Sequence, residues 1–182
     1  MLTRLSWRSN SVNRRGGFVR KPRVAQIALF IASALVLQVI DNMLMIPIPI
    51  PGGKLGLANI ATLIALDIFG LPTLMLISVV RASLGAFLSG GLMAVFYSLS
   101  GAILSTLVMW PVHRSGVIKR KTITKFGVGV LGAVAHNIGQ ILVAILLLKS
   151  VAILSYLPIL LITSAFSGAI TGWVSMKIKI NT

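Results

Sequence analysis

The chain has 182 residues, 57% of them hydrophobic and 10% charged, with a net charge of +15 and no cysteine. So few charged residues cannot cover the surface of a water-soluble domain of this size. The lack of thiols excludes disulfides and thiolate metal sites.

Apolar stretches of about 20 residues recur with short breaks, the pattern of an all-α, polytopic membrane protein. The positive charge could instead mark a nucleic-acid binder, and its distribution decides against that. Seven of the 17 cations precede residue 24, five lie between Arg114 and Lys125, and Lys177 and Lys179 close the chain. Cations that flank apolar segments follow the positive-inside rule, whereas a nucleic-acid site gathers them on one folded face.

Residues 1–23 are rich in Arg, Ser, Asn and Gly with no apolar periodicity, and read as a disordered cytoplasmic tail. A single transmembrane domain is expected over 24–178, built as a six-helix bundle. Its first span is 24–40, where Ala28 and Ala32 are four residues apart, a spacing that lets helices approach closely in lipid.

Next comes a broken stretch, "MIPIPIPGGKLGLANIATL", at residues 45–63. Pro47, Pro49 and Pro51 enforce an extended, stiff segment, and Gly52-Gly53 allows a sharp turn into the second span, 55–69. Lys54 opposes the dipole at that helix's amino terminus. It reads either as a snorkelling lysine against lipid phosphate or as a cation that meets an anion together with free backbone N–H groups. Asn59 lies just past it. The second span is short for a hydrocarbon core of about 30 Å, so it is expected to be buried among neighbours or partly re-entrant.

The third span, 72–88, carries Arg81 near its middle. Translocon scales assign a central arginine a cost of about 2.5–3.5 kcal/mol, so Arg81 must face the bundle interior. Two partners present themselves: Asp67, one of the chain's two acids, or a substrate carboxylate or phosphate that fits the guanidinium fork.

The fourth span is 92–110. The fifth, 126–148, contains "GAVAHNIGQ", with His136 and Gln140 on one face and Asn137 beside them. These polar groups read either as interhelical glue or as ligand contacts. A metal site is not expected, since the only other histidine, His113, lies in the loop. The sixth span, 156–176, carries a Ser164, Gly168, Gly172 ladder to match Gly129 and Ala133 on the fifth. Such ladders serve packing within the bundle or docking of a partner.

With the amino terminus inside, the tail, the 111–125 loop and the carboxyl terminus are all cytoplasmic, and 14 of the 17 cations lie inside. Arg81 and His136 then sit at similar depth and could line one cavity. The chain has no GxxxxGK[ST] loop with which to energise transport itself. Its two acids form no aspartate-rich Mg²⁺ cluster and no catalytic carboxylate pair. Catalysis by this chain alone is therefore not expected, and no cofactor is implied.

"PIPIPGGKLGLANIATLIAL" (47–66), the arginine within "ISVVRASLGAFLSGGL" (77–92) and "GAVAHNIGQILVA" (132–144) together resemble the bacterial Gx transporter family, also known as heptaprenyl diphosphate synthase component I. The resemblance covers about residues 21–178, and the first 20 residues read as an extension beyond the family's usual start. That family in turn resembles the substrate-binding S-components of energy-coupling factor (ECF) transporters: six helices in the plasma membrane that capture a small molecule and rely on a separate membrane subunit and ATPases. The resemblance is one of architecture and identifies no ligand; the residues' own chemistry points to a site for a small anionic molecule made by Lys54, Asn59, Arg81, His136, Asn137 and Gln140, entered from outside around 47–59. The resemblance implies docking of the partner on Ala28 and Ala32. The alternative that the second name implies is a noncatalytic membrane component of heptaprenyl diphosphate synthase, in isoprenoid and quinone side-chain synthesis.

Overall fold

The computed structural model describes residues 24–43, 58–115 and 123–178, and every regular element in them is a helix. The amino-terminal tail, the proline ladder and Lys54 lie outside the described residues. The helices are α1 (Val24–Met43), α2 (Ala58–Ile68), α3 (Leu71–Arg114), α4 (Lys125–Leu148) and α5 (Leu157–Lys177), with a 3₁₀ turn, Val151–Tyr156, leading into α5.

α3 contains the third and fourth expected spans. It breaks at Gly91, where φ is 69° and ψ −164°, a region open in practice only to glycine. The break lets Leu71–Leu88 and Gly91–Arg114 fold back on one another as antiparallel rods, tied at Ser78 and Thr106, whose hydroxyls are 2.8 Å apart. Both halves, together with Lys125–Leu148 and Val151–Lys177, are long and apolar enough to cross a membrane. The apolar stretch of α1, Val24–Ile40, and the 11-residue α2 are shorter. Six apolar helical stretches are thus present among the described residues, four of them long enough to span on their own.

Glycines set how closely the later helices meet. A Cβ on Gly129 would lie 2.6 Å from the Gly168 carbonyl oxygen and 3.0 Å from the Gly172 Cα, so α4 and α5 cross backbone to backbone. The small-residue ladders of the fifth and sixth spans are used on each other, inside the bundle. A Cβ on Gly132 would strike the Met109 sulfur at 2.2 Å, and one on Gly139 the Ser100 carbonyl oxygen at 2.7 Å, so α4 is fitted just as closely to the second half of α3.

α2 touches all four other helices. Eight of its 11 residues are buried, and at about 1.5 Å per residue it is only about 16 Å long. Leu63 and Leu66 on α2 form the apolar core with Leu74, Ile77, Met109, Val128 and Phe69. Phe30 of α1 closes this end with an edge-on contact to Phe69, at 5.2 Å between ring centres. The same end carries the one acidic cluster point among the described side chains: Asp67 bonds Lys125 and lies 3.3 Å from His113.

The α4–α5 crossing is the most easily tested part of this architecture. Gly168→Leu should lower the melting temperature sharply or abolish a monodisperse detergent-solubilised species, since overpacking costs about 1–3 kcal/mol even where side chains can yield, and here the obstacle is backbone. Gly91→Ala meets no atom within 4 Å, so only its backbone conformation is strained. It should cost about 1–3 kcal/mol. Equal melting of Gly168→Leu and wild type would contradict the crossing.

Candidate functional site

Side chains on the inner face of α3 change character with height. From the Lys125 end upward, Leu74 and Ile77 belong to the apolar core. Ser78, Arg81, Ala82, Gly85 and Ala86 then follow on the same buried face. The facing elements change in step. On the second half of α3, Met109 gives way to Thr106, Ser105 and Gly101. On α4, Val128 gives way to Gly132 and His136. On α2, Leu63 and Leu66 give way to Thr62 and Asn59. A polar layer therefore rests on the apolar core.

Helix rise fixes its depth. Arg81 is ten residues above Leu71, Asn59 nine above Ile68 and His136 eleven above Lys125, placing all three about 14–16 Å from that end. The described part of α2 begins at Ala58, in this layer.

Arg81 is 4% exposed and Asn59 8% exposed. Asp67, the acid considered as Arg81's counter-ion, is held by Lys125 and His113 at the end of α2. It lies about 15 Å from Arg81 in depth, beyond the reach of the two side chains together. Asp67 is thus not the counter-ion of Arg81, whose polar contacts lie elsewhere.

His136 lies against Gly101: a Cβ there would come within 2.7 Å of its Nε2 and 2.8 Å of two ring carbons. Glycine at 101 makes the room in which the imidazole sits. Gln140, half-buried one turn above, shares that face of α4.

Asn137 faces the other way. Its amide Nδ2 donates to the Leu160 carbonyl oxygen at 3.0 Å, joining α4 to α5. Of the two readings open for it, the structure shows interhelical glue. Ala28 and Ala32 are exposed, because α1 packs through Ile27, Phe30, Ile31, Ala34 and Gln38 on its opposite side.

Two polar residues at this depth stand out only in the structure. Gln38 of α1 is buried, with its amide laid over Gly85, one turn above Arg81. Thr62 is buried one turn below Asn59. A glutamine in the middle of an apolar span is itself a signal, since an uncharged amide in hydrocarbon also needs a partner. Thr62 carries no such signal, because threonine occurs freely in helices packed in lipid.

Asn137→Ala should lower the melting temperature by the loss of one interhelical hydrogen bond, about 0.6 kcal/mol and at most about 1.7. Retention of small molecules by the purified protein should be unchanged. A loss of retention without a loss of stability would return Asn137 to the site.

The sequence model of the family described as heptaprenyl diphosphate synthase component I matches residues 30–178. No curated protein and no solved structure matches the chain. The matched stretch runs from α1 to the end of α5 and contains the core, the polar layer and both small-residue ladders. The chain belongs to the heptaprenyl diphosphate synthase component I family.

Proposed function

We propose that this chain is a noncatalytic membrane component that holds a small anionic molecule in its half-depth polar layer and works beside a separate prenyl diphosphate synthase subunit. The observation that carries the binding is Arg81, buried on the inner face of α3 at the depth of Asn59. A guanidinium favours an anion, and a desolvated site strengthens that preference. Asn59 and His136 lie at the same depth and offer directional hydrogen bonds, with Gln140 above them; Lys54 precedes α2 in sequence. The family description supports the partner. Two acids in 182 residues supply no Mg²⁺ cluster for diphosphate chemistry, which falls to that partner.

A second reading is favoured by one specific observation. The apolar core lies between the polar layer and the end that carries Lys125, His113 and Arg114. By the positive-inside rule that basic end is cytoplasmic in the plasma membrane, with both chain termini, so the core separates the layer from the cytoplasm. A site reached from outside suits a substrate-capturing subunit like an ECF S-component, with the exposed Ala28 and Ala32 face against its transmembrane partner and ATPases below.

The test is to purify the full chain in lipid nanodiscs and identify retained small molecules by mass spectrometry. Wild type should retain an anion that the Arg81→Ala, His136→Ala double variant loses by at least about tenfold, the loss of one charge-assisted hydrogen bond. Identical retained sets would overturn the binding reading. Co-expression separates the partners. Recovery of the catalytic synthase subunit supports the first reading. Recovery of ECF-type subunits by wild type, lost in Ala28→Leu, Ala32→Leu, supports the second.

A further inference from the structure

Two oxygens in the polar layer have no partner among the described residues: Gln38 Oε1, on a side chain 6% exposed, and Thr62 Oγ1, on one 2% exposed. Each such group costs about 1–3 kcal/mol when left unpaired. The cost is not an accident of loose packing. Gly85 is cut away for the Gln38 amide: a Cβ there would lie 2.4 Å from its Cδ and Nε2 and 2.6 Å from Oε1. Any larger residue at 85 would displace the amide.

Both oxygens belong to the anion-binding layer. Gly85 follows Arg81 by one turn on the inward face of α3, so the Gln38 amide lies one turn above the backbone of Arg81. Gln38 is eight residues along α1 from Phe30, which marks the closed end, and so about 12 Å above it, within a turn of Arg81's depth. Thr62 shares a face of α2 with Asn59, Leu63 and Leu66, the face that carries the core.

We infer that Gln38 and Thr62 bind the same small anion as Arg81, and that this molecule carries a hydroxyl or amide group beside its charge. The inference rests on the anion-binding reading above. Gln38 Oε1 accepts a hydrogen bond from an O–H or N–H of the bound molecule, and the Thr62 hydroxyl donates to one of its oxygens. A prenyl chain has no donor to offer Gln38. The class of ligand is therefore a short hydroxylated or amide-bearing carboxylate or phosphate, and not an isoprenoid diphosphate.

The experiment compares wild type, Gln38→Leu, Thr62→Val and Arg81→Leu as full chains in nanodiscs. Anions released on denaturation are identified and quantified, with farnesyl diphosphate added in parallel as a donor-free, tail-bearing probe. Wild type should release an anion with at least one O–H or N–H donor, which farnesyl diphosphate does not displace. Gln38→Leu and Thr62→Val should each reduce its occupancy about tenfold, one hydrogen bond's worth, while melting no lower than wild type because an unpaired oxygen has gone. Wild-type occupancy in both variants, a released anion without a donor, or displacement by farnesyl diphosphate would overturn the inference while leaving anion binding intact. Wild-type occupancy in Arg81→Leu, or no anion from wild type, would remove the underlying reading as well.

Discussion

The burial of α2 at the centre of the bundle is the constraint on which the rest of this structure depends. Eight of its 11 described residues are buried, along about 16 Å of helix. Protein must surround it, and four other helices do. The inner faces of the surrounding helices turn polar at the level of Asn59. Arg81, Asn59 and His136 share that depth, with Gln38 about a turn above Arg81 and Thr62 a turn below Asn59. The close glycine crossings of α4 with α5 and with α3 hold the surrounding helices together while the centre is occupied by so short an element.

Much of this was legible in the sequence. Apolar length gives the helices, and the expected weakness of the second span corresponds to α2. The four-residue spacing of small side chains on the fifth and sixth spans corresponds to an actual crossing, because Gly129, Gly168 and Gly172 leave no alternative but backbone contact. Arg81 had to point inward on cost alone. Other features are not encoded locally. Asp67 goes to Lys125 and His113 because the reversal between α2 and α3 places it at the end of the bundle, which depth along a single helix does not disclose. Asn137 and His136 are adjacent in sequence, yet 100° of helix rotation sends one to Leu160 and the other to Gly101. The value of Gln38 and Thr62 emerges only once their lack of partners is visible in three dimensions.

On the proposed reading, a buried cation and neutral hydrogen-bonding groups hold an anion, and the chain binds it, orients it and hands it on. A synthase component and a transporter subunit both need that capacity, and they differ in which partner receives the molecule and from which side it arrives.

Access to the layer is thus the central claim, and the absence of native cysteine makes it measurable with single-cysteine variants. Asn59→Cys marks the layer and Leu66→Cys, three residues short of Phe69, the apolar core below it. A small membrane-impermeant thiol reagent applied to one side at a time should label Asn59→Cys from the side opposite the Lys125 end, and leave Leu66→Cys unlabelled from either. Labelling of both positions alike, or of neither, would contradict a polar layer that opens away from the Lys125 end.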